Sequence, residues 1–269
     1  MIVVSVMHRV GVATLLLTAV ATAAAPGSLD RLPKDRAGEV VGRAIEYAGG
    51  IDAWEGVRAL EFRKTTIRFR PDGSEERRRV ELHRYRLRPF AVRIEWTEGG
   101  RSFVLVNDGR QAWKLVDGQA ATTADDRNQA RNATFGSHYV FNIPFKLTDP
   151  GIHLEHTGKK ELPNGKAAEA VRVTYDKGAG DAGGLHTWVY FFDARSGRLV
   201  ANHLTYDAGK YDYTEYLDDR AVGPMRLSTR RYGFDADVRG KKGPKRSEIV
   251  YDGIRVDPPL DDGIFVGPR

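Results

Sequence analysis

The spacing of apolar positions changes from helical to alternating at about residue 57. Ahead of that point Ala37, Val40, Val41, Ala44, Ile45 and Ala48 recur on one helical face, with Asp35 placed as N-cap and Gly49-Gly50 as the stop. Residues 51–56 read as one more helical turn. From Val57 the apolar residues alternate, in segments split by Pro71-Asp72-Gly73, Glu98-Gly99-Gly100, Asp108-Gly109 and Asp117-Gly118. Leu60/Phe62, Ile67/Phe69, Val80/Leu82, Tyr85/Leu87, Val92/Ile94/Trp96, Phe103/Leu105 and Trp113/Leu115 supply the apolar faces. The parity slips between Phe62 and Ile67 and between Leu82 and Tyr85, which predicts β-bulges that curve the sheet. Residues 124–147 break the strand rhythm and predict a helix followed by helix or loop, and a second run of strands fills 152–257. The fold expected is α+β and mainly β, a long antiparallel meander with an N-terminal helix and a central helical segment.

Several strands are apolar on both sides, for example the one with Trp188, Tyr190 and Phe192 on one face and Val189 and Phe191 on the other. Such a strand must be covered on both faces or line a cavity on one. Either reading fits the residues.

The first residues are a weakly basic start, an apolar run from Val10 to Ala25 and then Pro26-Gly27-Ser28. The run is shorter than the roughly 20 residues of a membrane-spanning helix and ends in small residues, so residues 1–25 are expected to be a secretory signal peptide. Residues 26–34 are expected as a linker and 35–269 as a single domain. Without cysteine at the cleavage point there is no lipid anchor, which makes a soluble periplasmic protein the expectation. The lack of cysteine also removes disulfides, Fe–S clusters, cysteine-ligated zinc and thiol catalysis.

Candidate chemistry is sparse. His153 and His156 lie on opposite faces of a strand and cannot share a metal, while His186 and His203 could meet across a hairpin. Asp125-Asp126, Asp218-Asp219 and Asp261-Asp262 read as turn or helix-start residues. No nucleophile elbow, phosphate loop or dinucleotide fingerprint occurs, so no catalytic residue, metal or cofactor is expected. The net charge is +6, with basic clusters at Arg77-Arg78-Arg79, Arg84, Arg86 and Arg88 and at Arg239, Lys241, Lys242, Lys245 and Arg246. Behind an export signal these point to a solvated strand face, or to contact with a membrane surface or an acidic envelope protein, and not to nucleic acid.

Taken together, the layout resembles the LolA/LolB-like superfamily of lipoprotein carriers, in particular its outer-membrane lipoprotein-sorting-like members. The resemblance is carried by Ala44-Ile45-Glu46-Tyr47-Ala48-Gly49-Gly50 with Trp54 and Leu60, by residues 107–113 (Asn-Asp-Gly-Arg-Gln-Ala-Trp), 139–147 (Tyr-Val-Phe-Asn-Ile-Pro-Phe-Lys-Leu) and 193–199 (Asp-Ala-Arg-Ser-Gly-Arg-Leu), and by Asp261-Asp262-Gly263-Ile264-Phe265. It implies a strongly curved, unclosed half β-barrel whose concave apolar face holds acyl chains under a helical lid. The function expected is a non-enzymatic carrier or sensor of a lipid or lipoprotein acyl chain, with Phe62, Phe69, Ile94, Trp96, Trp113, Phe141, Phe145, Trp188 and Tyr190 as candidate lining. The alternative is an envelope interaction module without bound lipid, and an envelope enzyme is a more distant third.

Overall fold

The computed structural model describes residues 28–163, 165–180, 184–206 and 209–267, so the expected leader lies outside the described residues. Two helices open the described chain, α1 (Arg36–Tyr47) and α2 (Ile51–Gly56). Asp35 caps α1 by accepting from the backbone N–H groups of Ala37 and Gly38, as its position in the sequence predicts. Six strands follow: β1 (Ala59–Phe69), β2 (Glu75–Arg86), β3 (Ala91–Glu98), β4 (Arg101–Asn107), β5 (Ala112–Val116) and β6 (Gln119–Ala121). After α3 (Ala124–Phe141) come β7 (Ile152–Glu161), β8 (Ala167–Tyr175), β9 (Thr187–Asp193), β10 (Leu199–Thr205), β11 (Tyr211–Val222), β12 (Met225–Ala236) and β13 (Lys242–Val256). Ser28–Arg31, within the expected linker, forms a 3-10 turn, and Arg31 donates to the Thr148 carbonyl.

All the strands pair antiparallel in one sheet of 13, in the order β6-β5-β4-β3-β2-β1-β13-β12-β11-β10-β9-β8-β7. Each strand neighbours its sequence successor except β6 and β7, and β13 returns to pair with β1 and joins the two meanders. The sheet is not closed: β6 and β7 are its edges, and α3 is the connection between them. α1 packs on β7 and β8, α3 on β3, β4 and β5, all on one side that we call the inner face.

The curl of the sheet follows from two hydroxyl contacts. Laid flat, the seven steps from β2 to β8 would span roughly 34 Å at about 4.8 Å per step. Yet Ser137 Oγ of α3 is 2.9 Å from the Tyr85 hydroxyl on β2, and the Tyr139 hydroxyl is 2.9 Å from that of Tyr175 on β8. Residues two apart on one helix reach both strands only because the sheet wraps around it.

The bulges are not where the parity slips predict. β1 and β2 stay in continuous register from Ala59↔Arg86 to Arg68↔Arg77, and β2 and β3 from Leu82↔Glu95 to Arg86↔Ala91. The parity slips because the apolar residues change sides. Leu60, Phe62 and Tyr85 face inward beneath the helices, whereas Ile67, Val80 and Leu82 face outward and Lys64, Glu81 and Arg79 occupy the inner positions. Register shifts occur instead at Glu61/Arg63 against β13, in β12–β13, in β9–β10 and in β7–β8.

Two further expectations are corrected. Asp218-Asp219 lies within β11 and not in a turn; Asp219 accepts from the Tyr47 hydroxyl at 3.0 Å and pairs with Arg198. His186 does not meet His203, which stands opposite Val189, but packs edge-on to Tyr206. The first basic cluster is largely neutralised, with Arg77 on Glu98, Arg78 on Glu75, Arg84 on Glu61 and Glu95, and Arg86 on Asp262. Arg88 donates instead to the carbonyls of Trp54, Glu55 and Val57 and closes the C-terminal end of α2.

Phe62 is buried at the centre of this arrangement, stacked on Phe141 at 4.2 Å and edge-on to Tyr85 and Tyr251. Phe62→Ala is expected to cost about 3–5 kcal/mol, read as a lower urea midpoint; a loss under about 1 kcal/mol would remove the aromatic stack from its central place.

Candidate functional site

The inner face is the natural candidate because it is a continuous apolar surface under removable elements. β1 to β4 contribute Leu60, Phe62, Tyr85, Val92, Ile94 and Leu105, and β8 and β9 contribute Val171, Val173, Trp188, Tyr190 and Phe192. Over them lie Val40, Val41, Ala44 and Ile45 of α1, Trp54 of α2, and a stripe on α3 formed by Ala130, Thr134, His138 and Phe141. That stripe has helical spacing but contains small and polar residues, so hydropathy along the chain does not reveal it.

The structure divides the candidate lining residues between the two faces. Phe62, Ile94, Trp188 and Tyr190 are buried on the inner face, and Trp188 and Tyr190 are stacked at 5.5 Å. Phe141 and Phe145 belong to the cover, Phe145 stacking on Trp54 at 5.1 Å. Trp96 is also inward, beyond the helices, sandwiched between Phe103 and the Arg79 guanidinium. Phe69 and Trp113 are not brought together with these. Phe69 takes the Lys245 ammonium over its ring, beside Tyr232, and Trp113 pairs with Val106 and packs against Gly267 of the C-terminal segment. That segment crosses the outer face, where Arg93 donates to the Ile264 carbonyl and Phe265 is buried beside Arg86.

Side chains fill the inner face under α1 and the end of α3, whereas beside the middle of α3 an open cavity of about 840 Å³ is lined by Phe90, Asn107, Arg131 and Phe135. The gap between α1, the end of α3 and β11–β12 is about 30 Å³, room for a water or two and not for an acyl chain.

Besides the Phe141 stack on Phe62, a small set of polar ties holds α3 down. Lys114 pairs with Asp126 near the start of the helix at 2.9 Å. Asn107 donates to Thr134 Oγ1 at 3.0 Å, both side chains being buried. Near the end, the Arg231 guanidinium is clasped by the Tyr216 and Tyr251 rings at 4.7 and 4.9 Å and donates to the Val140 carbonyl.

The tie with most chemistry is a chain from β2 to α3 that the sequence does not announce. Glu81 and His83 share the inner face two residues apart, a spacing legible in the sequence, but Ser137 arrives from α3. Ser137 Oγ is 3.1 Å from His83 Nδ1, and His83 Nε2 is 3.3 Å from Glu81, which also accepts from Lys64 at 3.0 Å. Burial acts to raise the Glu81 carboxyl, but the His83 hydrogen bond and the charges of Lys64 and Arg79 outweigh it and hold it well below the usual carboxylate range. Burial, reinforced by the same two cations, lowers His83 to about 4. Neutral His83 then donates from Nε2 to Glu81 and accepts from Ser137 at Nδ1. The three groups resemble a hydrolytic triad in kind, but the imidazole is fully buried beneath α3, where no substrate reaches it. Their work here is to fasten the helix.

No family model matches this chain, and no curated protein matches it in sequence. Among solved structures, a LolA superfamily protein from Nitrosomonas europaea superposes with a TM-score of 0.55 over 86% of this chain and 97% of that one, at 13% identity. A DUF1329 family protein from Desulfovibrio piger gives 0.58 over 86% and 98%, at 11% identity. An outer membrane lipoprotein-sorting protein domain from Vibrio parahaemolyticus gives 0.52 over 84% and 94%, at 10% identity. The fold is LolA-like. At these identities the likeness is one of fold, and the LolA-like frame is what the three neighbours share with this chain.

The buried imidazole predicts a pH dependence. Its folded pKa lies below the unfolded value of 6.5, so between about 6.5 and 4 the unfolded chain binds the extra proton and stability falls as the pH falls. The loss from His83 amounts to about 3 kcal/mol. His83→Gln should flatten the urea midpoint between pH 7 and 4, and an unchanged slope would contradict a neutral buried His83.

Proposed function

We propose that this protein is a non-enzymatic carrier of the cell envelope that receives an acyl chain of a lipid or lipoprotein on its inner sheet face when α3 lifts. The observation that carries this reading is the mismatch between the surface and its cover. The inner face is a largely aromatic and aliphatic surface, while the stripe α3 presents to it is small or polar from Ala130 to His138 and aromatic only at Phe141, so that apart from the Phe141 stack the helix is held by hydrogen bonds worth about 1 kcal/mol each. A cover of this kind can exchange its contacts with the sheet for those of an apolar ligand. The LolA-like fold, found in a protein domain named for lipoprotein sorting, supports the same reading.

On this reading the candidate lining narrows to Phe62, Ile94, Trp188 and Tyr190, with Phe141 moving away on α3. The described residues include no helix long and apolar enough to cross a membrane, and the expected leader fits an exported carrier. The interaction-module reading draws on the filled part of the inner face, and one experiment separates the two.

Because the chain has no cysteine, Asn107→Cys with Thr134→Cys introduces a single possible disulfide between β4 and α3, at side chains that already meet. The reduced protein should take up a fluorescent diacyl phospholipid from phosphatidylethanolamine and phosphatidylglycerol vesicles; the oxidised protein should lose uptake and regain it with reductant. Uptake unaffected by oxidation would move the acyl chain off the inner face, and no uptake by the native chain would favour the interaction module.

A further inference from the structure

We propose that the outer face of β9, β10 and β11 holds a second binding site, for a single-chain amphipathic carboxylate such as a medium-chain fatty acid. It is separate from the inner face and does not rest on the carrier reading.

The site begins with β9, which is apolar on both sides. Trp188, Tyr190 and Phe192 are buried inward, which leaves Val189 and Phe191 on a face that α1 and α3 do not cover. Register sets His203 opposite Val189 and Tyr213 opposite His203, so four side chains from three strands form one floor. Above it is a cavity of about 610 Å³, walled by Leu162 and Pro163 after β7 and by the turn from β12 to β13. That size falls within the roughly 300–1,000 Å³ of small-ligand pockets.

The second wall is preorganised. The Asp237 carboxylate accepts the backbone N–H groups of Arg239 and Lys241 at 2.8 and 2.9 Å, and His203 Nε2 donates to the Asp237 carbonyl at 3.1 Å. Gly240, beside the His203 ring, has a φ of +76°, a left-handed conformation that glycine adopts without strain. The turn is pinned to the floor, and its side chains are set at the rim.

Charge selects the ligand. Lys160, Arg239 and Lys241 line the cavity with one acid, Glu161; the Asp237 carboxylate within the turn also acts on Arg239 and Lys241, but none of the three cations forms a salt bridge among the described residues. Nearby cations differ: Lys242 is taken by Glu215, Lys245 by Glu248 and Arg246 by Asp235. Tyr213 is 3% exposed and lines the cavity. Burial pushes its hydroxyl up to about 12, so it remains a donor at neutral pH. Cations without salt bridges at the rim of a largely apolar floor fit an anionic head on one apolar tail, whose head forms charge-assisted hydrogen bonds at the rim.

The test is calorimetric titration of decanoate, with decanol as the uncharged control, into the native chain and into the oxidised Asn107→Cys/Thr134→Cys protein. Decanoate should bind both, and decanol at least about tenfold more weakly. Val238→Asp and the pair Arg239→Ala/Lys241→Ala change exposed residues of the turn and leave the core intact, yet each should weaken decanoate by a similar factor. Retention by the locked protein places the ligand away from the inner face, whichever way the uptake experiment falls. Equal binding of decanol, indifference to both turn variants, or no decanoate bound by either protein would overturn the proposal.

Discussion

The fold depends on Phe141 being held between Phe62 and Tyr251. Phe62 lies on β1 and Tyr251 on β13, the strands where the two meanders join, and Phe141 is the last residue of the helix that connects the sheet's open edges. One aromatic cluster therefore ties the middle of the sheet to its cover, and the strands on both sides curl around it. The stacked and edge-on geometries add specific ring contacts to plain burial.

Around that cluster the inner face changes character within one strand. Beneath the helices β1 and β2 present Leu60, Phe62 and Tyr85; beyond them the same faces carry Lys64, Arg79 and Glu81. Glu81 stays charged because it is surrounded by cations, and His83 stays neutral because it is buried among the same cations. The polar cluster marks the boundary of the helical cover and passes a hydrogen bond to it through Ser137. Across the sheet, most of the Arg77–Arg86 cluster is spent in cross-strand and local ion pairs, so the cations without salt bridges at the rim of the outer cavity are the more distinctive feature.

Much of this architecture was legible in residue order. α1 with its Asp35 cap, the turn of α2, both strand runs and a helix within 124–147 follow from period and punctuation, because those signals are local. The two-faced character of β9 was legible too, and the structure gives both of its possible outcomes: one face covered, the other lining a cavity. The candidate site was read less well. Alternation reports that successive side chains point apart but not which side is inward, so Phe69 and Trp113 were grouped with residues on the opposite face.

Sequence by itself determined the helix and the antiparallel meanders, since each rests on spacing within a short stretch of chain, while motifs scattered along the chain carried the resemblance to a LolA-like fold. Only the tertiary structure decided that side chains fill the inner face under α1 and the end of α3, that Ser137 meets His83 and that the Asp237–Lys241 turn lies beside Phe191 and Tyr213. Those outcomes depend on the curl of the sheet, which brings together side chains from strands and helices far apart in the chain, and no local period encodes that curl.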